Sequence, residues 1–210
     1  MPLLTLPVVL QLAAVHASVV APETVAAVAE TESGLDPLAV RDNTSGLSYA
    51  PKTVAEAAAL ARALMARGHS LDLGLMQVNG ANLARTGLTP DSAFDPRRSV
   101  EAGGQILVAA WQRCRPDRSE ADALRCTASV YNSGREQAGI RSGYVARVWR
   151  VAERIVPAIR QAVPPRPLAP APQAPEPPGR CGPSPPSWDA WALADHRRCV
   201  QREAPKPTKE

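Results

Sequence analysis

Pro22-Glu23-Thr24-Val25-Ala26-Ala27-Val28-Ala29-Glu30-Thr31-Glu32-Ser33-Gly34 reads as one helix with both ends marked. Proline in the first turn lacks only an N–H that would have no intrahelical partner, and Glu23 beside it suits the positive end of the dipole. Gly34 stops the helix, because a residue without Cβ enters the left-handed region at little cost. On the wheel Val25, Val28 and Glu32 share one face, with Glu30 turned by about 200 degrees from Glu32. One acid is therefore aimed at the core side. There, at the last turn and against the negative end of the dipole, its pKa is expected to rise, each unit biasing it by about 1.36 kcal/mol toward the protonated form. A protonated carboxyl at neutral pH can act as a general acid. From the wheel alone, a surface glutamate at a frayed helix end fits as well.

Working outward, the sequence continues in helical pattern. Thr53 with Glu56 three residues on has the form of a capping box, opening a helix over about 53–67 that Gly68 ends. Further helices are expected over about 78–86, 99–113, 119–132 and 142–162, and the polar stretch 42–51 is expected to hold a short hairpin. Hydrophobic residues make up 45% of the 210-residue chain and aromatics only 4%, with Ala, Val and Leu dominating. Those residues fill helix interfaces well and strand faces poorly, so the composition points to an all-α core. Residues 1–20 form an apolar segment, either a signal-type sequence without its positive end or, over 8–20, the first core helix. The globular domain is expected over 21–163. From Pro164 the sequence is Pro-rich and resists packing, leaving 164–210 as a tail whose Ser187-Trp188-Asp189-Ala190-Trp191 stretch reads as a small docking element.

The net charge of +4 is mild, and the arginines are scattered through helices without aromatic partners, so no nucleic-acid groove is indicated. The 4 cysteines have no CxxC spacing and the 3 histidines lie far apart, so neither a zinc site nor a redox motif is indicated, and no cofactor is implied. Cys114 falls at the end of one expected helix and Cys126 within the next, while Cys181 and Cys199 both lie in the tail. Two local disulfides in an oxidising compartment fit that placement, and so do free thiols.

Beyond the first helix, three strings occur in order: Glu32-Ser33-Gly34-Leu35-Asp36-Pro37, Gly74-Leu75-Met76-Gln77-Val78-Asn79 and Ala128-Ser129-Val130-Tyr131-Asn132-Ser133-Gly134, followed by Gly143-Tyr144-Val145. Together they resemble the lytic transglycosylases of lysozyme-like fold, over roughly residues 20–156. Asp72 before the second string and Ala93-Phe94-Asp95-Pro96 after it look like the VirB1 branch, which accompanies type IV secretion and conjugation machines. Where that branch often carries a cysteine after the Asp-Pro pair, this chain has Arg97, so a disulfide pattern cannot be carried over.

The resemblance implies a mainly α, lysozyme-like fold and a periplasmic or cell-envelope enzyme acting on peptidoglycan glycan strands. It implies that Glu32 protonates the glycosidic oxygen between N-acetylmuramic acid and N-acetylglucosamine and then, as carboxylate, deprotonates the muramic C6 hydroxyl. The product is a 1,6-anhydro sugar, and no second protein carboxylate is needed. Asp36, Asp42 and Asp72 are accordingly expected to be turn and loop acids. Ser33 would orient Glu32 or contact sugar, Gln77 would line the cleft, Tyr131 and Asn132 would hold the acid and an N-acetyl group, and Tyr144 would close the site. Two other functions fit the same strings: goose-type hydrolysis, with water as the attacking group, and a glycan-binding scaffold. In either case the Pro-rich tail would recruit envelope proteins of the secretion system.

Overall fold

The helix from Pro22 to Ser33 forms as read and becomes the centre of the domain, with Val25, Ala26, Ala27, Val28 and Ala29 all buried. The computed structural model describes residues 3–162 together with Cys181, His196 and Cys199. Residues 3–162 belong to one compact unit. Its helices are α1 (Leu6–His16), α2 (Pro22–Ser33), α3 (Val54–Ala66), α4 (Pro96–Cys114), α5 (Glu120–Ser133), the single turn α6 (Ala138–Arg141) and α7 (Tyr144–Ala162). Helix α2 packs against α1, α4 and α7, and α4 runs beside α5. The architecture is the mainly α, lysozyme-like one that the sequence implies. Within the N-terminal segment, where a first helix was expected over 8–20, α1 forms over Leu6–His16, with Val9 and Ala13 0% exposed.

Capping chemistry sets the helix ends, at Thr53 as the sequence places it and at α4 three residues earlier than the expected 99. Thr53 Oγ1 accepts the Glu56 amide at 3.1 Å, and the Glu56 carboxylate accepts the Lys52 amide at 2.8 Å. Asp95 caps α4 ahead of Pro96, and Ser119 caps α5. Gly103 and Gly104 sit inside α4 because its neighbours approach closely there: a Cβ on Gly103 would meet the Met76 side chain at 2.6 Å, and one on Gly104 would meet Ala17 Cβ at 2.7 Å. Cys114 and Cys126 form a disulfide joining the end of α4 to α5, with Cα atoms 5.7 Å apart, and Cys181 pairs with Cys199. Both local disulfides thus form. The Trp188–Trp191 stretch lies outside the described residues.

The expected hairpin in 42–51 is part of a larger sheet. Strands β1 (Val40–Asp42), β2 (Ser48–Tyr49), β3 (Leu71–Leu73) and β4 (Val78–Asn79) form an antiparallel sheet of order β2-β1-β3-β4. Val40 pairs with Tyr49 and Leu73, and Asp72 pairs with Arg41 and Asn79.

The helix expected over 78–86 does not form. Those residues supply β4 and two 3₁₀ turns, Gly80–Asn82 and Ala84–Thr86. Only six residues separate Gly80 from Gly87, too few to nucleate an α-helix against two flanking glycines. Local bonds take over instead: Asn79 Oδ1 accepts the Ala81 amide at 3.1 Å, and Thr86 Oγ1 donates to the Asn82 carbonyl at 2.9 Å.

Asp42 is also more than a loop acid. It ends β1 fully buried, accepting from Ser45 Oγ at 2.6 Å, the Thr44 and Ser45 amides, and His69 Nδ1 at 2.8 Å. Burial alone would raise its pKa. The hydrogen bonds from Ser45, His69 and Thr44 outweigh it and hold the carboxyl well below the usual range. This ionised brace closes the 43–47 loop and fixes where Asn43 leaves the sheet.

Candidate active site

The three strings meet at the backbone of Gly74–Gln77. Ser33, at the last residue of α2, donates from Oγ to the Leu75 carbonyl at 2.7 Å and to the Ala29 carbonyl at 3.0 Å. Tyr131, on α5, donates its hydroxyl to the Met76 carbonyl at 2.7 Å. The Met76 amide donates to Ser99 Oγ, and Gln77 Nε2 donates to the carbonyls of Gly74 at 2.9 Å and Ala39 at 3.1 Å. Gly74 at φ 73° and Gln77 at φ 46° bracket a reversal that turns Leu75 and Met76 fully inward. Side chains from α2 and α5 thus satisfy carbonyls that the turn leaves without ladder partners. This interlocking explains why strings so far apart in sequence belong together.

Above this clasp lies a cleft of two lobes that share Glu32, Asn43, Asp72, Gln77 and Asn132. One lobe, of about 400 Å³, continues past Asn79, Asn82, Ile106 and Tyr131. The other, of about 530 Å³, continues past Arg41, Tyr49, Tyr144 and Arg147. Glu32 stands at their junction, where a polymer crossing both would present a bond to it.

Glu30, two residues earlier, points away and pairs with Arg154 of α7. Glu32 instead accepts the Tyr144 hydroxyl on Oε1 at 2.6 Å. Burial pushes the Glu32 pKa from 4.5 up to about 7; the Tyr144 hydrogen bond and the Arg147 charge lower it, and the Asp72 charge raises it. The acid is thus poised between its two forms near neutral pH. Burial beside Glu32 raises the pKa of Tyr144 and, with the Asp72 charge, that of Tyr131, so both stay neutral donors.

Every site residue expected from the sequence lines this cleft: Glu32, Ser33, Gln77, Tyr131, Asn132 and Tyr144. The hydrogen bond that orients the acid comes from Tyr144, while the hydroxyls of Ser33 and Tyr131 are engaged with the Gly74–Gln77 turn. Asp36 is the turn acid it was expected to be, accepting the Leu38 amide at 2.9 Å.

Asp72, expected to be a loop acid, is instead a strand residue of the cleft wall. It faces the cleft from β3 and accepts Asn79 Nδ2 on Oδ1 at 2.7 Å and Asn43 Nδ2 on Oδ2 at 2.8 Å. The available signal was its alternation with Leu71 and Leu73, both 0% exposed, which turns Asp72 to the opposite face of the strand. Among the described residues no group of three or more His, Cys, Asp and Glu is placed to hold a metal.

Opposite effects on Glu32 make Tyr144 and Asp72 testable together. Tyr144→Phe removes a bond that lowers the acid's pKa, so the fall in activity on the alkaline side should move to higher pH, with a lower plateau. Asp72→Asn removes a negative neighbour, so the same limb should move to lower pH. The pH profile of glycan cleavage for both variants checks this; shifts of the same sign would show that Glu32 is not the titrating group.

The transglycosylase SLT domain family matches residues 11–146. The protein virB1 of Agrobacterium fabrum is 39% identical over 140 residues, covering 67% of this chain and 57% of that protein, so the chain spans little more than half of that relative. Protein virB1 of Rhizobium radiobacter is 34% identical over 178 residues, 85% of this chain and 70% of that protein. The type IV secretion system protein virB1 of Brucella suis is 34% identical over 158 residues, covering 69% and 66%. No solved structure matches the chain significantly. With the family match running from α1 to the start of α7 and covering Glu32, Gln77, Tyr131, Asn132 and Tyr144, the chain belongs to the transglycosylase SLT domain family, in its VirB1-like branch.

Proposed function

We propose that this protein cleaves the β-1,4 bond between N-acetylmuramic acid and N-acetylglucosamine in peptidoglycan and releases 1,6-anhydromuropeptides. The observation that carries this reading is a partly buried acid, its pKa raised to about 7 and its carboxyl held by Tyr144, at the junction of two polar lobes. Protonated Glu32 gives its proton to the glycosidic oxygen as the C1–O bond breaks, leaving positive charge at C1. The resulting carboxylate takes the proton of the muramic C6 hydroxyl as the O6–C1 bond forms. Glu32 ends protonated and no water is consumed, so the acid returns to its starting state. Asn132 and Gln77 face the substrate from the cleft wall, and the amides of Asn43 and Asn82 suit the N-acetyl and hydroxyl groups of the sugars. Ser33 and Tyr131 serve by fixing the turn that carries Gln77.

The relatives named as type IV secretion proteins support a place in the periplasm or cell envelope, where local opening of the wall would let a secretion or conjugation apparatus through. Envelope proteins of that apparatus are the partners we assign to the Pro-rich tail.

Asp72 supports a second reading. A carboxylate in the cleft could steer water to C1, as in goose-type hydrolysis. Mass spectrometry of muropeptides released from purified sacculi separates the two. Anhydromuropeptides are expected from wild type and none from Glu32→Gln; reducing-end products would establish hydrolysis, and no release by wild type, with sacculus binding intact, would leave a scaffold.

A further inference from the structure

The two lobes of the cleft differ in charge. The lobe past Asn79 and Tyr131 has no basic side chain in its wall, whereas the lobe past Tyr49 and Tyr144 has two, Arg41 and Arg147. They arrive from unrelated elements. Arg41 lies on β1 directly across from Asp72, on the strand face opposite buried Val40 and Asp42. Arg147 lies one turn along α7 from Tyr144, its guanidinium 5.7 Å from the centre of that ring.

Neither guanidinium forms an ion pair with a carboxylate among the described residues. Asp72, the acid nearest in register to Arg41, has both oxygens taken by Asn43 and Asn79. Arg41 is steadied by Ser48 Oγ at 3.1 Å, and Arg147 contacts the Ser142 carbonyl at 3.4 Å. Single exposed arginines are usually only solvated. Two that converge on one cavity beside the acid, with none in the facing lobe, form a site for an anion.

A glycan strand offers few anions. Its sugars are neutral, and the lactyl group of a muramic residue is an amide wherever a peptide stem is attached. The carboxylates of the stem are what remains. We propose that Arg41 and Arg147 bind a carboxylate of the peptide stem on the muramic residue seated in that lobe, so that the enzyme selects peptide-bearing strands over bare ones. This rests on the glycan-cleaving reading above and adds a direction to it: the stem-bearing side of the scissile bond lies toward β1 and the start of α7. Guanidinium–carboxylate pairs of this kind give orientation as well as attraction.

The test compares three substrates: intact sacculi, sacculi whose stem carboxylates have been converted to methylamides, and bare strands stripped by an amidase, in which the lactyl carboxylate is exposed. Wild type is expected to show kcat/KM about tenfold higher on intact sacculi than on either of the others. In Arg41→Gln/Arg147→Gln that ratio should fall toward one, while Arg113→Gln, whose side chain pairs with Glu136, should keep it. The ratio is read rather than the rate, because Arg147 also acts on the charge of Glu32.

Equal rates of wild type on intact and methylamidated sacculi would overturn the proposal, as would a double variant that still discriminates. Faster cleavage of bare strands would move the ligand to the lactyl carboxylate and overturn it too. Cosedimentation of the Glu32→Gln variant, with and without the two arginine changes, reads the same preference without chemistry. Should wild type cleave nothing, the proposed activity fails, and cosedimentation alone decides whether the arginines read the stem.

Discussion

Glu32→Gln is expected to abolish glycan cleavage and, at pH 8, to leave the folded protein more stable than wild type. The first half follows from the double duty of one group: glutamine can neither give the proton to the leaving oxygen nor remove one from the C6 hydroxyl. Loss of at least about a thousandfold is expected, since general acid–base contributions run to 10²–10⁴ for a single transfer. The second half follows from linkage. The acid binds its proton more tightly folded, at about 7, than unfolded, near 4.5, so the folded state holds more protons across that window. Stability is therefore lost as pH rises from 4.5 through 7, by about 3 kcal/mol once Glu32 is ionised in both states. Glutamine keeps an oxygen for the Tyr144 hydroxyl and carries no charge to bury, so the variant escapes that loss. Denaturant unfolding of both proteins at pH 4.5 and pH 8 checks it: the difference should be small at the lower pH and favour the variant at the higher. All other ionisable groups are common to both proteins and cancel in the comparison. Equal loss of stability between the two pH values would show that Glu32 is not destabilised by burial.

The same residue shows what the sequence could and could not say. Its place on the apolar face of α2, and the turning away of Glu30, follow from a period of 3.6 residues and needed no tertiary information. The group that holds it did not: Tyr144 lies 112 residues away, and only the packing of α7 along α2 brings its hydroxyl to Oε1. Helices with a cap at each end were legible because their signals lie within four residues of each other. The sheet was legible only as one hairpin, since strands of two or three residues give at most one step of alternation, as Leu71-Asp72-Leu73 does. Strand β4 lies at the start of the 78–86 stretch that was expected to be helical. Asp42 and Asp72 were both expected to be loop acids, although Asp72 stands between two leucines. Register separates them: Asp42 ends β1 on the buried face with His69, while Asp72 in β3 faces the cleft between two asparagines.

Gly74→Ala should be among the most damaging single changes in the chain, although it adds one methyl group. At φ 73° an L-residue other than glycine is strained, and the new Cβ would lie 2.2 Å from the carbonyl oxygen of Ala93, a buried backbone atom in the Ser92–Phe94 turn. A backbone obstacle cannot rotate aside as a flexible side chain can. Either the Gly74–Gln77 turn or the segment before α4 must shift, and the turn is where Ser33, Tyr131 and Gln77 all make their bonds. A loss of about 4 kcal/mol is expected, at the upper end for one substitution, with a fall in Tm of roughly 10 °C. Gly68→Ala supplies the contrast. Gly68 has a similar φ of 83° but nothing within 4 Å of a new Cβ, so it isolates the conformational cost, about 1 kcal/mol. Thermal unfolding of the two variants side by side checks the difference, and comparable melting temperatures would mean that the contact with Ala93 relaxes freely. Cleavage should track the turn as well as the melt. Assayed well below its own Tm, folded Gly74→Ala should still be impaired, because displacing the turn moves Gln77 and frees the carbonyls that Ser33 and Tyr131 hold, whereas Gly68→Ala should cleave at the wild-type rate.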